Sequence, residues 1–161
     1  MPIYLKYGKV DGAVTNKSYQ KWIEVDSFTW GVSVAVQTTS GNTTNRQGSG
    51  KVTPADFVIT KSLDDASIQL KKDCVQGVVT DPVEIAVVAM AGEDLADEYE
   101  HYTFSNVLVS SFSTSGGGDG KPHEQFSFNF TKFQNKQQIR DAKNVARQII
   151  AGYDFETARK L

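Results

Sequence analysis

Residues 28–36 read FTWGVSVAV, a stretch in which large apolar residues alternate with small ones. Successive side chains of a β-strand point to opposite faces, so Phe28 and Trp30 would share one face with the three valines that follow. The opposite face would carry only small residues, namely Thr29, Gly31, Ser33 and Ala35. The stretch therefore predicts a half-buried β-strand whose second face can approach another surface closely.

The same alternation elsewhere predicts that the protein is mainly β. The sequence EQFSFNFTKF at 124–133 places phenylalanines on one side and polar residues on the other. Further strands are predicted at 52–61, 83–90 and 105–113, which are rich in β-branched and aromatic residues. Together these strands would build a barrel or a sandwich.

One short α-helix is predicted at residues 66–75. Asp64 and Asp65 precede it, and a carboxylate at this place can accept hydrogen bonds from the free amides of the first turn. Gly77 follows it and can adopt the left-handed conformation that ends many helices. Apolar residues four positions apart would face the core, so the helix could plug the end of a barrel.

Length and composition indicate one folded domain. The chain has 161 residues and a formal net charge of −2, a balance that argues against a nucleic-acid partner. The longest apolar run, 85–91, is too short to cross a membrane, so we expect no membrane insertion. Residues 1–7 lack the basic region and apolar run of a signal peptide. A single cysteine, Cys74, indicates synthesis in a reducing compartment.

We predict no catalytic residue, no metal site and no cofactor. His101 and His123 are the only histidines, and both lack the partner spacing of a metal site. Cys74 falls on the apolar face of the predicted helix, which predicts a buried and inert thiol. The segment GGGDGK at 116–121 lacks the first glycine and the final Ser or Thr of a phosphate-binding loop. The protein is therefore predicted not to be an enzyme.

A series of short motifs, in order along the chain, resembles one known family. The motifs are KWIEV (21–25), FTWG (28–31), ITK (59–61), DDAS (64–67), NVLVSSF (106–112), the glycine-rich 115–120, Glu124 and FNFT (128–131). The series strongly resembles Hcp, the haemolysin-coregulated tube protein family of bacterial type VI secretion. The resemblance spans most of the chain.

The resemblance implies a two-sheet antiparallel β-barrel with one short α-helix, in a single Hcp-like domain over 1–161. It also implies a homo-hexamer whose rings stack into the inner tube of a contractile injection machine. The expected partners are a VgrG spike, a contractile sheath and small effector proteins in the lumen. Such a protein would be cytoplasmic before firing and then secreted to the extracellular space or a target cell, as an effector chaperone in virulence.

The resemblance also implies two functional surfaces. The matching positions for the lumen and for effector binding are Thr29, Gly31 and Ser33. The polar loop at 38–53 matches an extended loop that contacts the adjacent ring, and the residues assigned to ring stacking are Ser40, Gly41, Asn42, Thr43, Thr44, Asn45 and Arg46. From the residues alone, the small lumen positions could instead serve only close strand packing.

The C-terminal region gives two conflicting predictions. Apolar residues of 139–150 recur at helical spacing and end before Gly152, a pattern that predicts a helix. The resemblance instead implies an irregular passage and a last strand, because IAGYDF at 150–155 matches the closing motif of the family. We follow the family at this end of the chain.

Three alternative functions stay open at this point. A phage-type tail-tube subunit would share the fold and the assembly. A carbohydrate-binding β-sandwich module could use aromatic residues and polar loops as a sugar site. A hydrolase could be built on His123 and nearby carboxylates, although we expect His123→Ala to be silent.

Overall fold

The computed structural model of the chain describes residues 1–35, 52–89, 98–143 and 145–161. These residues form thirteen β-strands and one α-helix. The strands are β1 (Ile3–Tyr7), β2 (Ile23–Val25), β3 (Ser27–Thr29), β4 (Val32–Val34), β5 (Val52–Pro54), β6 (Phe57–Ser62), β7 (Val83–Val88), β8 (Glu98–Ser105), β9 (Leu108–Ser115), β10 (His123–Asn129), β11 (Lys132–Arg140), β12 (Ala146–Asp154) and β13 (Arg159–Lys160). The helix is α1 (Ser67–Gln76), and a short 3-10 turn covers Lys17–Tyr19.

The strands lie in antiparallel sheets. A seven-stranded sheet has the order β13-β12-β11-β8-β7-β1-β2, and a four-stranded sheet has the order β3-β6-β10-β9. β4 and β5 form a separate two-stranded sheet that the sequence did not predict. The predicted class, mainly β with antiparallel sheets and one short helix, is confirmed. The helix itself lies one residue from its predicted bounds of 66–75.

The hydrophobic core contains residues of both larger sheets and of the helix. Phe57 on β6 is fully buried at its centre. Its ring centroid lies 5.3 Å from that of Phe28 and 5.2 Å from that of Phe128, both in the four-stranded sheet. The Phe104 ring on β8 of the seven-stranded sheet is 5.1 Å away. Aromatic packing therefore joins the two sheets.

Helix α1 ends at Gly77 as predicted, but its N-cap residue is Ala66, and no side chain caps the amides of its first turn. The Asp64 carboxylate accepts a hydrogen bond from the backbone N–H of Ala66 at 3.0 Å, just before the first turn. Gly77 has φ +63° and donates its N–H to the carbonyl of Asp73, a left-handed C-terminal cap. Ala66 and Leu70 are fully buried, so the helix packs its apolar face on the core.

The predicted strand at 28–36 is divided, and the prediction of one continuous apolar face is wrong. Phe28 and Trp30 pack against the core, but Val32 and Val34 are 47% and 46% exposed. At the division the indole Nε1–H of Trp30 donates to the carbonyl of Ala55 at 3.0 Å, and the N–H of Ala55 donates to the carbonyl of Gly31 at 2.9 Å. Beyond these contacts the chain leaves the four-stranded sheet and pairs as β4 with β5.

Three other predicted strands are divided as well. The stretch 124–133 forms most of β10 and the start of β11, which belong to different sheets. The stretch 52–61 forms β5 and β6, which belong to different sheets. The stretch 105–113 spans the end of β8 and most of β9. Asn106 between them has φ +57°, and Val107 pairs with Thr80 in an isolated bridge. A residue with positive φ cannot continue an extended strand, so the chain changes sheet here.

The helical pattern at 139–150 is a wrong prediction, and so is the irregular passage that replaced it. β11 and β12 pair over nine residues each as an antiparallel hairpin. Ile139, Ile149 and Ile150 stay exposed, so their spacing does not mark a buried helix face. The last strand implied by 150–155 is present, but it begins earlier, at Ala146.

Candidate functional site

The outward face of the four-stranded sheet is built from small polar side chains. Residues pointing away from the core alternate with buried ones along β6 and β10. Cross-strand register aligns Ser27, Thr60, Gln125 and Ser113 in one row. We name this surface the hydroxyl face, and it comprises Ser27, Thr29, Val58, Thr60, Ser62, Leu108, Ser111, Ser113, Ser115, His123, Gln125, Ser127 and Asn129. None of these residues is Asp, Glu, Lys or Arg.

Several hydroxyl groups of this face are bonded to other hydroxyl groups. Ser127 shares hydrogen bonds with Ser110 at 2.7 Å and with Ser111 at 2.6 Å, where a register shift brings both β9 residues opposite one β10 residue. Ser27 and Thr60 are similarly bonded across β3 and β6. The hydroxyl groups are therefore held in place on the sheet.

A carboxylate lies at each end of the hydroxyl face. Asp56 accepts hydrogen bonds from Ser110 Oγ at 2.7 Å and from Asn129 Nδ2 at 3.1 Å. Asp26 accepts one from Ser62 Oγ at 3.4 Å, and its Oδ2 is 4.0 Å from His123 Nδ1. The face is thus uncharged along its middle and acidic at its two ends.

The structure gives each predicted lumen residue a different place. Thr29 ends β3 and is exposed on the hydroxyl face. Gly31 follows the strand, is exposed, and a Cβ there would meet none of the described atoms within 4 Å, so close packing does not explain a glycine. Ser33 is exposed on β4, where its Oγ donates to the Thr53 carbonyl at 3.4 Å. The predicted stacking residues Ser40 to Arg46 lie outside the described residues.

The two edges of the four-stranded sheet, β3 and β9, run antiparallel to each other. Each neighbouring pair in the order β3-β6-β10-β9 is antiparallel, so the first and fourth strands point in opposite directions. Neither edge strand pairs with another strand on its outer side among the described residues. Unpaired edges of this kind can accept strands of another chain.

A buried ionic cluster lies beneath the hydroxyl face. Lys61 on β6 is fully buried, and its Nζ is 3.1 Å from Glu124 Oε2, 2.7 Å from Asp64 Oδ1 and 3.0 Å from Ser67 Oγ. Ser67 donates to Glu124 at 2.5 Å, and Lys71 Nζ is 3.3 Å from Glu124 Oε1. These contacts fasten the start of α1 to β6 and β10.

Charge pairing decides the ionisation of this cluster. Burial alone would raise the pKa of Glu124, but the hydrogen bonds from Ser67 and Lys61 outweigh it and lower the pKa below the ordinary value. The carboxylate is therefore ionised within the protein. The sequence grouped Lys61, Ser67 and Glu124 among the family motifs but assigned them no role, because residues 57 positions apart show no local pattern.

The remaining candidate groups show no catalytic arrangement. His123 is 73% exposed, and Cys74 is half-buried and packs against the core instead of being fully buried as predicted. The part of the chain that the structure describes holds no group of three or more His, Cys, Asp or Glu suited to a metal ion. Among its helices, none is long and apolar enough to span a membrane.

Comparison with known proteins identifies relatives over nearly the whole chain. A family model described as "Type VI secretion system effector, Hcp" matches residues 4–136. A solved structure described as a type six secretion system protein superposes with a TM-score of 0.89 at 31% identity, covering 99% of both chains. Hcp1 from Salmonella typhimurium gives a TM-score of 0.77 at 26% identity, covering 99% of this chain and 98% of its own.

A type VI secretion system effector from Yersinia pestis shares the fold at 20% identity, with a TM-score of 0.74 and 94% and 98% of the two chains covered. No curated protein sequence matches at a significant level.

Proposed function

This chain belongs to the Hcp family of type VI secretion proteins, and from that membership we propose that it forms hexameric rings that stack into a secretion tube. The Hcp family consists of structural tube proteins, so the protein is not an enzyme. The alternative of a hydrolase built on His123 is thereby excluded.

The observation that carries the ring proposal is the antiparallel relation of β3 and β9. If β9 of one subunit pairs with β3 of the next, the antiparallel order of the sheet continues without interruption. The same contact repeated head to tail closes into a ring. Six such sheets at ~4.8 Å per strand would give a circumference of roughly 115 Å and a diameter of about 37 Å between backbones.

In this ring the hydroxyl face lines the lumen. The other face of the four-stranded sheet is occupied by the core, α1 and the seven-stranded sheet, so only the hydroxyl face is free to point inward. Short hydroxyl side chains already bonded to one another leave a smooth wall without charged residues in its middle. Such a wall suits the passage of folded polypeptides, because it offers no strong charge that would hold them.

The proposed lumen residues are Thr29, Gly31 and Ser33, as the family resemblance implies. Thr29 is supported by its position on the hydroxyl face, and Gly31 and Ser33 by their exposure on the continuing chain. The proposed stacking contact between rings uses Ser40 to Arg46, on the family resemblance alone.

The proposed partners are a VgrG spike at the tube end, a contractile sheath around the tube and small effectors inside it. We propose that the protein is cytoplasmic before firing and reaches the extracellular space or a target cell with the tube. Family membership supports these assignments.

Cross-linking between subunits tests the ring proposal. In a Cys74→Ala background, Thr29→Cys puts one thiol at the β3 edge and Ser113→Cys puts one on the β9 edge. A short bismaleimide should give covalent dimers when the two single-cysteine proteins are mixed, and a ladder up to a hexamer in the double variant.

A control pairs Thr29→Cys with Ile68→Cys, an exposed position on α1 that the proposal keeps away from the ring contact. Equal ladders from both pairs, or no ladder from the first, would reject pairing of β3 with β9.

A further inference from the structure

The chain between β1 and β2, residues 8–22, starts against the main core at Val10, and its later part covers the side of the seven-stranded sheet that faces away from the core. Tyr4, Ala86 and Val88 point to that side and form a second apolar cluster, separate from the main core. Tyr19 is buried in it, and Trp22 packs against it. We name residues 8–22 the covering segment.

The covering segment is joined to the sheet surface mainly by side chains. Within the described structure, the backbone hydrogen bonds of residues 12–22 link these residues to one another, as from Gly12 to Lys21 at 2.8 Å and from Val14 to Trp22 at 3.1 Å. Tyr19 stacks on Tyr4 with ring centroids 4.8 Å apart, and the Trp22 ring meets Tyr19 edge-on at 5.1 Å. Its position therefore depends on a few side-chain contacts.

Three polar side chains of the sheet, Glu84, Glu98 and His101, lie next to Tyr19 and Trp22 of the covering segment, and we name them the clasp. The Tyr19 hydroxyl donates to Glu98 Oε1 at 2.7 Å, and His101 Nδ1 lies 3.2 Å from Glu98 Oε2. The other ring nitrogen, Nε2, lies 3.6 Å from Glu84 Oε1. The Trp22 ring meets the His101 ring edge-on, with ring centroids 6.5 Å apart. The imidazole thus lies between two carboxylates of adjacent strands and touches the covering segment directly.

The other charged groups near the clasp lie on neighbouring strands. Lys136 on β11 is the cross-strand partner of His101, and Lys6 on β1 is the partner of Glu84 and lies 6.0 Å from the Trp22 ring. On the covering segment, Lys21 pairs with Asp11 at 3.4 Å. Among the described residues, the charged and titratable groups that the contacts place around His101 are Lys6, Glu84, Glu98 and Lys136 on the sheet and Tyr19 on the covering segment.

We propose that His101, Glu84 and Glu98 form a pH-responsive clasp, which holds the covering segment on the sheet while His101 is protonated and loosens it when the proton leaves. A protonated imidazole donates from both nitrogens and can bridge both carboxylates. A neutral imidazole has one N–H, so one carboxylate then faces a lone pair. Glu98 is then held less firmly, and because Glu98 accepts the hydrogen bond from Tyr19, the covering segment loosens too.

The pH at which the clasp opens follows from the pKa shifts of His101 and Glu98. The hydrogen bond to Glu98 raises the pKa of His101 above its ordinary 6.5, although burial opposes the rise. Stability from His101 is therefore full below 6.5 and lost as pH rises through the raised pKa. The hydrogen bond from His101 lowers the pKa of Glu98 below 4.5, so its contribution is lost only as pH falls through that lower value. The clasp is closed in mildly acidic solution and opens toward alkaline pH.

Hydrogen exchange of the assembled full-length protein between pH 6 and 8.5 tests the clasp. After correction for the intrinsic rate, the opening constant of peptides from 8–22 should rise with pH, by up to about tenfold for each unit by which the pKa of His101 is raised. Tyr19→Phe should increase opening at mildly acidic pH and reduce its dependence on pH.

The two histidines supply a matched pair of variants. His101→Gln should abolish the pH dependence of opening in 8–22, and His123→Gln, at the exposed histidine, should leave it as in the wild type. The proposal is overturned if the wild-type segment shows no pH dependence or if His101→Gln retains it. Should His101→Gln not fold, NMR titration of the wild type decides, because a His101 pKa at or below 6.5 would also overturn the proposal.

Discussion

Removal of the buried amine by Lys61→Met should destabilise the protein strongly. Lys61 and Glu124 are both fully buried, and Lys61 Nζ contacts Glu124, Asp64 and Ser67 at 3.1 Å or less. Methionine fills a similar volume, so the change removes the charge with little loss of packing. Glu124 would keep only Ser67 and the half-exposed Lys71 as partners.

The expected loss in the free energy of unfolding is about 3–5 kcal/mol, the usual cost of leaving a buried charge without its partner. A domain of ordinary stability has only about 5–15 kcal/mol in total, so the loss is large. The double variant Lys61→Met/Glu124→Leu should recover a substantial part of the lost free energy of unfolding, because it leaves no unpaired charge at either position. The coupling energy between the two positions should be about 2 kcal/mol.

Urea denaturation at one protein concentration measures these changes, since assembly makes apparent stability depend on concentration. Lys21→Met is the matched control, because Lys21 pairs with Asp11 at 3.4 Å but is 67% exposed, and such pairs contribute about 0–1 kcal/mol. A loss below about 1 kcal/mol for Lys61→Met, equal to that of the control, would refute the reasoning. The wild type should also lose this stabilisation as pH falls below 4.5 through the lowered pKa of Glu124.

Three further changes have defined outcomes. Thr29→Arg places a cation on the hydroxyl face and should preserve rings by electron microscopy while reducing co-purification of a co-expressed effector; unchanged retention would contradict the lumen role. Phe57→Ala removes the central ring of the core and should cost about 3–5 kcal/mol in chemical denaturation, with a cost under about 1 kcal/mol contradicting the packing argument. Gly77→Ala forces a side chain into the left-handed cap of α1 and should cost about 1 kcal/mol, whereas Gly118→Ala, in open space without positive φ, should be close to neutral.

Local patterns in the sequence predict the fold class and the helix well. Alternation of apolar and polar residues marks most strands, because the period of a strand is set by its own backbone. The end of α1 follows from Gly77, whose effect acts within a few residues. Both features are decided locally and are visible in a single sequence.

The strand breaks depend on contacts between distant residues. The stretch 28–36 divides where its two parts pair with different strands, β6 and β5, and Trp30 bonds there to Ala55, 25 positions away. The helical spacing at 139–150 gave a wrong prediction, because the end of β11 and the start of β12 pair with each other in this stretch. The isoleucines whose spacing predicted a helix stay on the surface.

The candidate site was predicted in part. The lumen role of Thr29 is a prediction from the family resemblance, and the alternation at 28–36 adds only that Thr29 lies on the face of small residues. The rest of the hydroxyl face, such as Thr60, Gln125 and Ser113, required the register of strands far apart in sequence. A usable signal was present, since each of the four strands carries Ser, Thr, Gln or Asn at alternate positions.

Cryo-electron microscopy of the purified full-length protein tests the central claim most directly. We expect six-fold rings in which β3 of one subunit pairs with β9 of the next and the hydroxyl face lines the opening. Monomers at high concentration, or rings in which α1 and the seven-stranded sheet line the opening, would contradict it.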